Sequence, residues 1–323
     1  MPELPEIETI KLQLQKVLIG QTIVGIEQLH KKSLQGNPQK VIGKQVVAIK
    51  RFGKMLVIEL SSSHPERFAS LDSSPPQADQ NDKLIYLAIH FKMSGQLILI
   101  QNAKINPPAG GQNDNETIRN RVVGGHPTED WTGKLPSKHT RVIFHFKSGD
   151  TMFFNDQRIF GWIKILTEEE LRNLSFVKNL GPEIWDISDQ EFYELIHKKK
   201  KAIKVAIMDQ ELISGVGNIY ANDALWEARI HPQTRTQGLT FPKVKLLQAA
   251  VIKVLKEGIK YGGATAADTK YINLHGLGGT YQEHFRVYDR NGQACLRCKA
   301  VIKKITLGGR GTYFCPTCQP ELH

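Results

Sequence analysis

The chain of 323 residues contains no apolar run approaching the roughly 18 residues that a membrane-spanning helix requires. Its opening, MPELPEIETI, has acid and proline where a secretory signal would carry a basic segment followed by an apolar one. No membrane partner and a cytoplasmic, nucleoid-associated location are therefore expected. Cysteine is scarce: four residues, all between positions 295 and 318. Disulfide-stapled secreted domains disperse their cysteines, so this confinement argues for a metal site in a reducing compartment. No internal repeat points to a solenoid. Acidic residues are the minority, 32 against 43 Lys and Arg, which leaves a formal charge of +11. Such an excess suits a polyanionic partner, with nucleic acid the first candidate, although charge alone fits a merely solvated basic surface as well. A hydrophobic content of 40% is ordinary, and the length accommodates two cores.

Ile7, Ile10, Leu14, Val17 and Leu18 recur at helical spacing, with Pro5 suited to a first turn and Gly20 to a stop, so a helix is predicted from about residue 5 to 19. Segments rich in β-branched and aromatic residues follow at 45–51, 55–60, 84–91, 96–100, 141–146 and 151–155. They predict an antiparallel sheet system, a sandwich in form. Two polar stretches, 61–82 and 102–138, have no sustained period and are expected to be long surface loops. From Ser188, which forms a capping-box pair with Glu191, helical segments extend to about Tyr261. The expected fold is α+β, with domains at 1–183, 184–289 and 290–323.

Cys295, Cys298, Cys315 and Cys318 form C-x2-C-x16-C-x2-C, a spacing that lets four thiolates close a tetrahedron around one zinc ion. Four protein ligands leave no position for a water nucleophile, so the zinc is expected to be structural. Between the pairs, LGGRGTYF sets Arg310 among glycines on a hairpin loop, where the backbone can approach a phosphate closely. A second glycine-rich turn, SGVGNIYANDALWEARIHP, leads into a helix whose amino terminus can hold an anion, with Asn218 as an added donor. Taken singly, that turn is as well explained by helix packing, and Lys198 to Lys201 with Lys204 by a solvated face.

MPELPEIETI, DQELISGVGNIYANDALWEARIHP and GGRGTYFCPTCQ, with KRFGKMLVIEL, IHFKMSGQL, SKHTRVIFHF, FNDQRIFGW, LGPE and KKKAIK between them, resemble the formamidopyrimidine-DNA glycosylase family of bacteria. The likeness covers nearly everything outside the two polar stretches. It implies a β-sandwich with flanking helices, then a helix-two-turn-helix domain and a zinc hairpin. Damaged double-stranded DNA would lie between the domains with the damaged base flipped out. The activity implied is that of a bifunctional glycosylase and AP lyase excising oxidised purines, chiefly 8-oxoguanine and formamidopyrimidines, with β,δ-elimination of the strand.

On the same resemblance Pro2, freed by loss of Met1, is the nucleophile. Its secondary amine forms an iminium at C1′ and titrates near neutrality, so a useful fraction is free base. Glu3 matches the acid, a role that calls for a carboxyl raised towards neutrality, and Glu6 supports it. Lys54 assists β-elimination and contacts phosphate. Arg310 is placed at δ-elimination, with phosphate binding the safer role for a group that stays protonated. His139, Arg158, Lys200, Lys204 and Asn218 match DNA-binding positions. Met93, Arg158 and Phe160 match the trio that fills the space left by the flipped nucleotide; by composition alone Met93 and Phe160 would be core. The family's DPRRFG reads DQRIFG here, so Ile159 removes one polar contact. Residues 266–283 match the base-capping loop poorly. The same machinery aimed at oxidised pyrimidines, or a non-catalytic damage sensor, are the competing expectations, and one cleft per chain makes a monomer the simplest assembly.

Overall fold

The computed structural model describes residues 2–62, 83–102, 120–265 and 278–321. They form two compact units. The first comprises Pro2 and Glu6–Lys178; the second comprises Glu3–Pro5, Asn179–Ala264 and residues 279–321.

In the first unit, helix α1 (Leu4–Leu18) ends where Gly20 takes φ +87°, a left-handed conformation that a side chain would strain. Two five-stranded sheets follow. One has the order β1 (Ile23–Gln28), β8 (Thr140–Phe146), β9 (Thr151–Asp156), β6 (Gly95–Ile100), β7 (Arg121–Gly125). The other has the order β2 (Leu34–Gln35), β10 (Trp162–Thr167), β5 (Ile85–His90), β4 (Met55–Ser61), β3 (Gln45–Phe52). All pairings are antiparallel except the short β2–β10 contact. The inner faces meet in one core that also receives Ile7, Ile10, Leu14 and Leu18 of α1.

Strand β4 is buried at every position. Leu56, Ile58 and Leu60 face the main core, and Met55 and Val57 face a second cluster with Tyr86, Ala88 and Leu171. Coverage on both faces explains its near-continuous apolar run, because no position needs to meet water.

The expected sandwich is present, with additions the sequence pattern does not reveal. Strand β1 is broken by Gly25 and β10 follows the polar FNDQRIFG segment, so neither stands out as an alternating run. The stretch 102–138 is not loop throughout: β7 and a 3-10 turn at Glu129–Trp131 lie within it. Val123 and Trp131 pack there with Ile98, Ile143 and Phe153, and a Cβ at Gly124 would strike Ile10. Residues 63–82 and 103–119, the remainder of the two polar stretches, lie outside the described residues, as does most of the 266–283 segment.

The second unit carries α4 (Asp189–His197), α5 (Ile203–Ile207), α6 (Asn218–Glu227) and α7 (Phe241–Lys260), after the short helices α2 (Glu168–Asn173) and α3 (Ser175–Lys178) close the first. Ser188 and Glu191 form the expected reciprocal cap, the hydroxyl accepting from the Glu191 N–H and the carboxylate from the Ser188 N–H. Leu4, Ile203, Ile207, Val216, Tyr220, Leu247 and Val251 share its core. The hairpin β11 (Lys303–Leu307) and β12 (Arg310–Phe314) completes the unit. No helix among the described residues is long and apolar enough to cross a membrane.

Candidate nucleic-acid site

Gly217 caps α6 in extended geometry without a side chain to satisfy the first N–H groups of the helix. Glu3 supplies what is missing. Its Oε1 accepts from the Ile219 N–H at 3.0 Å and its Oε2 from the Tyr220 N–H at 3.5 Å. The glycine-rich turn therefore receives an acidic group, the chain's own Glu3 carboxyl, which is 4% exposed. A Cβ at Gly217 would occupy the same space as the Glu3 carboxyl, and one at Gly215, whose φ is +89°, would strike Leu4. The Leu4 N–H donates to the Gly215 carbonyl at 3.1 Å, which fixes the backbone immediately after Glu3.

The turn is shaped by Gln210, a residue to which the sequence assigns no role. Its Oε1 accepts from the Gly215 N–H at 2.9 Å, and its Nε2 donates to the carbonyls of Met208 and Val216. Asp223 was equally silent. It is an acid fully buried inside α6 and accepts from the backbone N–H groups of Arg286, Val287 and Tyr288 and from the Tyr281 hydroxyl. Burial raises its carboxyl above the ordinary range, against the pull of those donors. A charged residue within IYANDALW was the available signal. The segment it pins carries Tyr288, whose hydroxyl is hydrogen-bonded to Asn218 and is pushed up to about 12, chiefly by burial.

Lys204 is not on the surface where a phosphate contact was expected. It is 1% exposed, and its ammonium donates to Asn218 Oδ1, Thr312 Oγ1 and the Gly311 carbonyl. Burial lowers it to about 8, with Glu3 opposing and Arg310 adding to the shift. Lys200 is exposed, while its neighbour Lys201 turns to Asp209 at 2.7 Å. Arg310 is exposed at the end of a two-residue hairpin loop, Gly308 and Gly309 at φ +57° and +71°, the geometry that suits a tight hairpin.

The four cysteines converge, with every sulfur within 4.8 Å of the others. The Cys298–Cys315 and Cys295–Cys318 separations of 3.4 and 3.9 Å bracket the edge of about 3.8 Å that four Zn–S bonds of ~2.3 Å define in a tetrahedron. The donor set thus fits one structural zinc ion. Trp226 Nε1 donates to Cys295 Sγ, and Arg297 stacks on the indole at 3.9 Å. Gln319 bridges the Cys315 N–H and the Ile230 carbonyl, so the metal module is fastened to the helices around it.

In the first unit, Lys54 is buried directly after Gly53, at the turn between β3 and β4. Met93 and the pair Arg158 and Phe160 sit on two separate loops that Asp156 and Ser94 join. The Ser94 hydroxyl donates to Asp156 Oδ1 at 2.5 Å, while Asp156 also accepts from the N–H groups of Arg158 and Gly161. Phe160 is 54% exposed, outside any core, with the Arg158 guanidinium 5.0 Å from its ring centre. Ile159 between them has φ +59°, unusual for a β-branched residue and held by the clamp on both sides. His139 is half-buried, its Nδ1 3.1 Å from Asp130 Oδ2.

His90 at the end of β5 is a further residue without an assigned role. Its Nδ1 accepts from the Lys92 N–H at 3.0 Å, and its ring meets Trp162 and the edge of Phe176. Burial, then the charges of Lys92 and Lys54, pushes it down to about 3. The unfolded imidazole binds its proton near pH 6.5. The unfolded chain therefore holds the extra proton between these limits, and stability present above about pH 6.5 falls as pH drops towards 3. Urea unfolding at pH 7 and pH 4.5 should show a smaller acid-induced loss for His90→Gln than for wild type; equal losses would refute this assignment.

A β-sandwich unit followed by a helical unit with a zinc hairpin, its helix amino terminus occupied by a glutamate from the chain start, defines a protein of the DNA-glycosylase class. Family models agree: the formamidopyrimidine-DNA glycosylase N-terminal domain matches residues 1–163, the formamidopyrimidine-DNA glycosylase H2TH domain residues 180–270, and the zinc finger found in FPG and IleRS residues 292–320. Formamidopyrimidine-DNA glycosylases of Chloroflexus aurantiacus and Acaryochloris marina are 34% and 35% identical to the chain. Each alignment covers 99% of it, and 98% and 100% of the relatives. The Lactococcus lactis Fpg solved with DNA containing an abasic site superposes with a TM-score of 0.74 at 28% identity, over 99% of this chain and all of that one. The chain belongs to the formamidopyrimidine-DNA glycosylase family.

Proposed function

We propose that the protein is a bifunctional DNA glycosylase and AP lyase that removes oxidised purines, with Pro2 as nucleophile and Glu3 as acid. The observation that carries this reading is the fixing of Glu3 at the head of α6, immediately after Pro2 in the chain, by two N–H donors and a glycine that leaves it room. An acid so constrained can meet one substrate atom in one geometry. The Lactococcus lactis Fpg, solved with DNA containing an abasic site, a formamidopyrimidine or an oxidised pyrimidine, supports damaged DNA as the substrate class.

The Pro2 nitrogen lone pair attacks C1′ as the bond from C1′ to the base breaks; the base takes the bonding pair together with the proton that the nitrogen sheds, which restores the nitrogen lone pair. Glu3 protonates the ring oxygen, opening the sugar, and the nitrogen electrons complete the iminium. Loss of a C2′ proton then expels the 3′ phosphate, with Lys54 assigned to that transfer. A second elimination, in which the C4′ proton is lost to water and its bonding pair forms the new double bond, expels the 5′ phosphate, with Arg310 binding the departing anion. Arg158, Phe160 and Met93 are assigned to the vacated stack, and His139, Lys200 and Asn218 to the DNA backbone. The zinc ion holds the hairpin and takes no part in bond breaking. We assign the chain to three segments in this scheme, 1–183, 184–289 and 290–323, and to action as a monomer.

Borohydride added during reaction with a duplex containing 8-oxoguanine opposite cytosine should trap a covalent adduct. Pro2→Gly and Glu3→Gln should greatly reduce it. Tight lesion binding without adduct or strand cleavage would overturn the lyase assignment in favour of a damage sensor. A trap seen only with oxidised pyrimidines would relocate the substrate.

A further inference from the structure

Lys204 lies in α5, deep in the second unit, yet it is charged and no step above uses it. An ammonium carries three hydrogens, and its three acceptors lie at 2.7 Å (Asn218 Oδ1), 2.7 Å (Thr312 Oγ1) and 3.0 Å (Gly311 carbonyl). The acceptors belong to two elements: Asn218 begins α6, and Gly311 and Thr312 follow Arg310 directly in β12. The Thr312 hydroxyl donates onward to the Arg310 carbonyl at 3.1 Å, and Asn218 Nδ2 donates to the Gly311 carbonyl at 3.1 Å. Asn222 extends the seam, accepting from the Tyr313 N–H at 2.8 Å and donating to the Asn218 carbonyl at 2.6 Å.

Burying an ammonium is costly unless every hydrogen is matched, and an apolar residue of the same length would fill the space without that cost. What the charge adds is a fixed geometry. The hairpin tip is held on one side only: a Cβ built on Gly308 would meet Val205 at 3.1 Å, whereas one on Gly309, next to Arg310, would meet nothing within 4 Å, so the buried seam behind Arg310 bears on its placement.

We propose that Lys204 is a positioning residue for strand scission: its buried ammonium locks the Arg310 end of the zinc hairpin to Asn218 at the head of α6, presenting guanidinium and carboxamide to DNA as one rigid pair. This rests on the glycosylase and lyase reading above. Lys204 touches no substrate atom; it acts through the two residues that do.

The test uses single-turnover reactions with saturating full-length enzyme, scoring base loss and the second elimination separately. Lys204→Met should slow the second elimination about 100-fold, the scale of a misplaced catalytic group, while base loss falls less than a tenth as much. Zinc should remain at one ion per chain. Thr312→Val, which removes one acceptor at nearly constant volume, covers the case in which Lys204→Met does not fold. It should shift the same ratio in the same direction, and Thr312→Ser should restore it. Equal slowing of both steps in the folded, zinc-loaded variants would mark a merely structural lysine and overturn the proposal, as would unchanged rates. Failure of the wild type to release any oxidised base would instead overturn the glycosylase reading. DNA affinity would then decide the tie, with Lys204→Met and Thr312→Val binding as tightly as wild type counting against it.

Discussion

Glu3→Gln should excise a damaged base about 10²- to 10⁴-fold more slowly than the wild type, the range that removal of a general acid–base group produces. Glutamine keeps an oxygen to accept from the Ile219 N–H, so the helix terminus and DNA binding should survive while the transferable proton is lost. A companion variant separates chemistry from placement. Gly217→Ala leaves Glu3 intact but builds a methyl group where its carboxyl sits. Either the carboxylate or the first turn of α6 must move, at a cost of about 1–3 kcal/mol for an overpacked site. Base loss should fall by a similar factor, and thermal unfolding should shift downward. Single-turnover assays with both variants check this, and a Gly217→Ala enzyme excising at the wild-type rate would show that the position of Glu3 is not critical.

Removal of the zinc ion should abolish DNA binding through the hairpin. Zinc held by small four-ligand peptides contributes about 10–16 kcal/mol in apparent terms, far more than the few hydrophobic contacts of so small a module can supply. The cluster of Trp226, Val287, Ile302 and Tyr313 is organised around Cys295 and Cys315, so loss of metal releases β11, β12 and the Lys204 seam together. Chelation or Cys298→Ser should therefore change Trp226 fluorescence and eliminate the lesion-duplex complex, and added zinc should restore the chelated protein but not the variant. A chelated protein that still binds the duplex as tightly as before would remove the hairpin from the DNA-binding machinery.

The zinc site was legible because its information is local. Two C-x2-C pairs can deliver four sulfurs to one ion whatever surrounds them, and the structure brings these four together. Helix α1 was equally legible: a repeated apolar face and a glycine stop determine it within one residue at each end. Strands β1, β7 and β10 were not, since each is short or interrupted and is held by partners distant in the chain. Met93 and Phe160 illustrate the limit from the other side. Their types suggest core, yet Phe160 stands exposed on a loop that Asp156, at the end of β9, fastens through the Gly161 N–H.

The sequence by itself determined the class of fold, the family and the metal, because these follow from motifs in which neighbouring residues carry the whole signal. Tertiary structure alone decided what each charged group faces. The glycine-rich turn announces a helix amino terminus open to an acidic group, but that the group is Glu3 depends on a hydrogen bond across 216 positions. Lys204 looks like one more lysine of a basic run, and only the approach of β12 over a separation of 108 residues turns it inward. Local propensity encodes where a backbone bends; the partner of a buried charge is set by desolvation, which exists only once distant segments have closed around it.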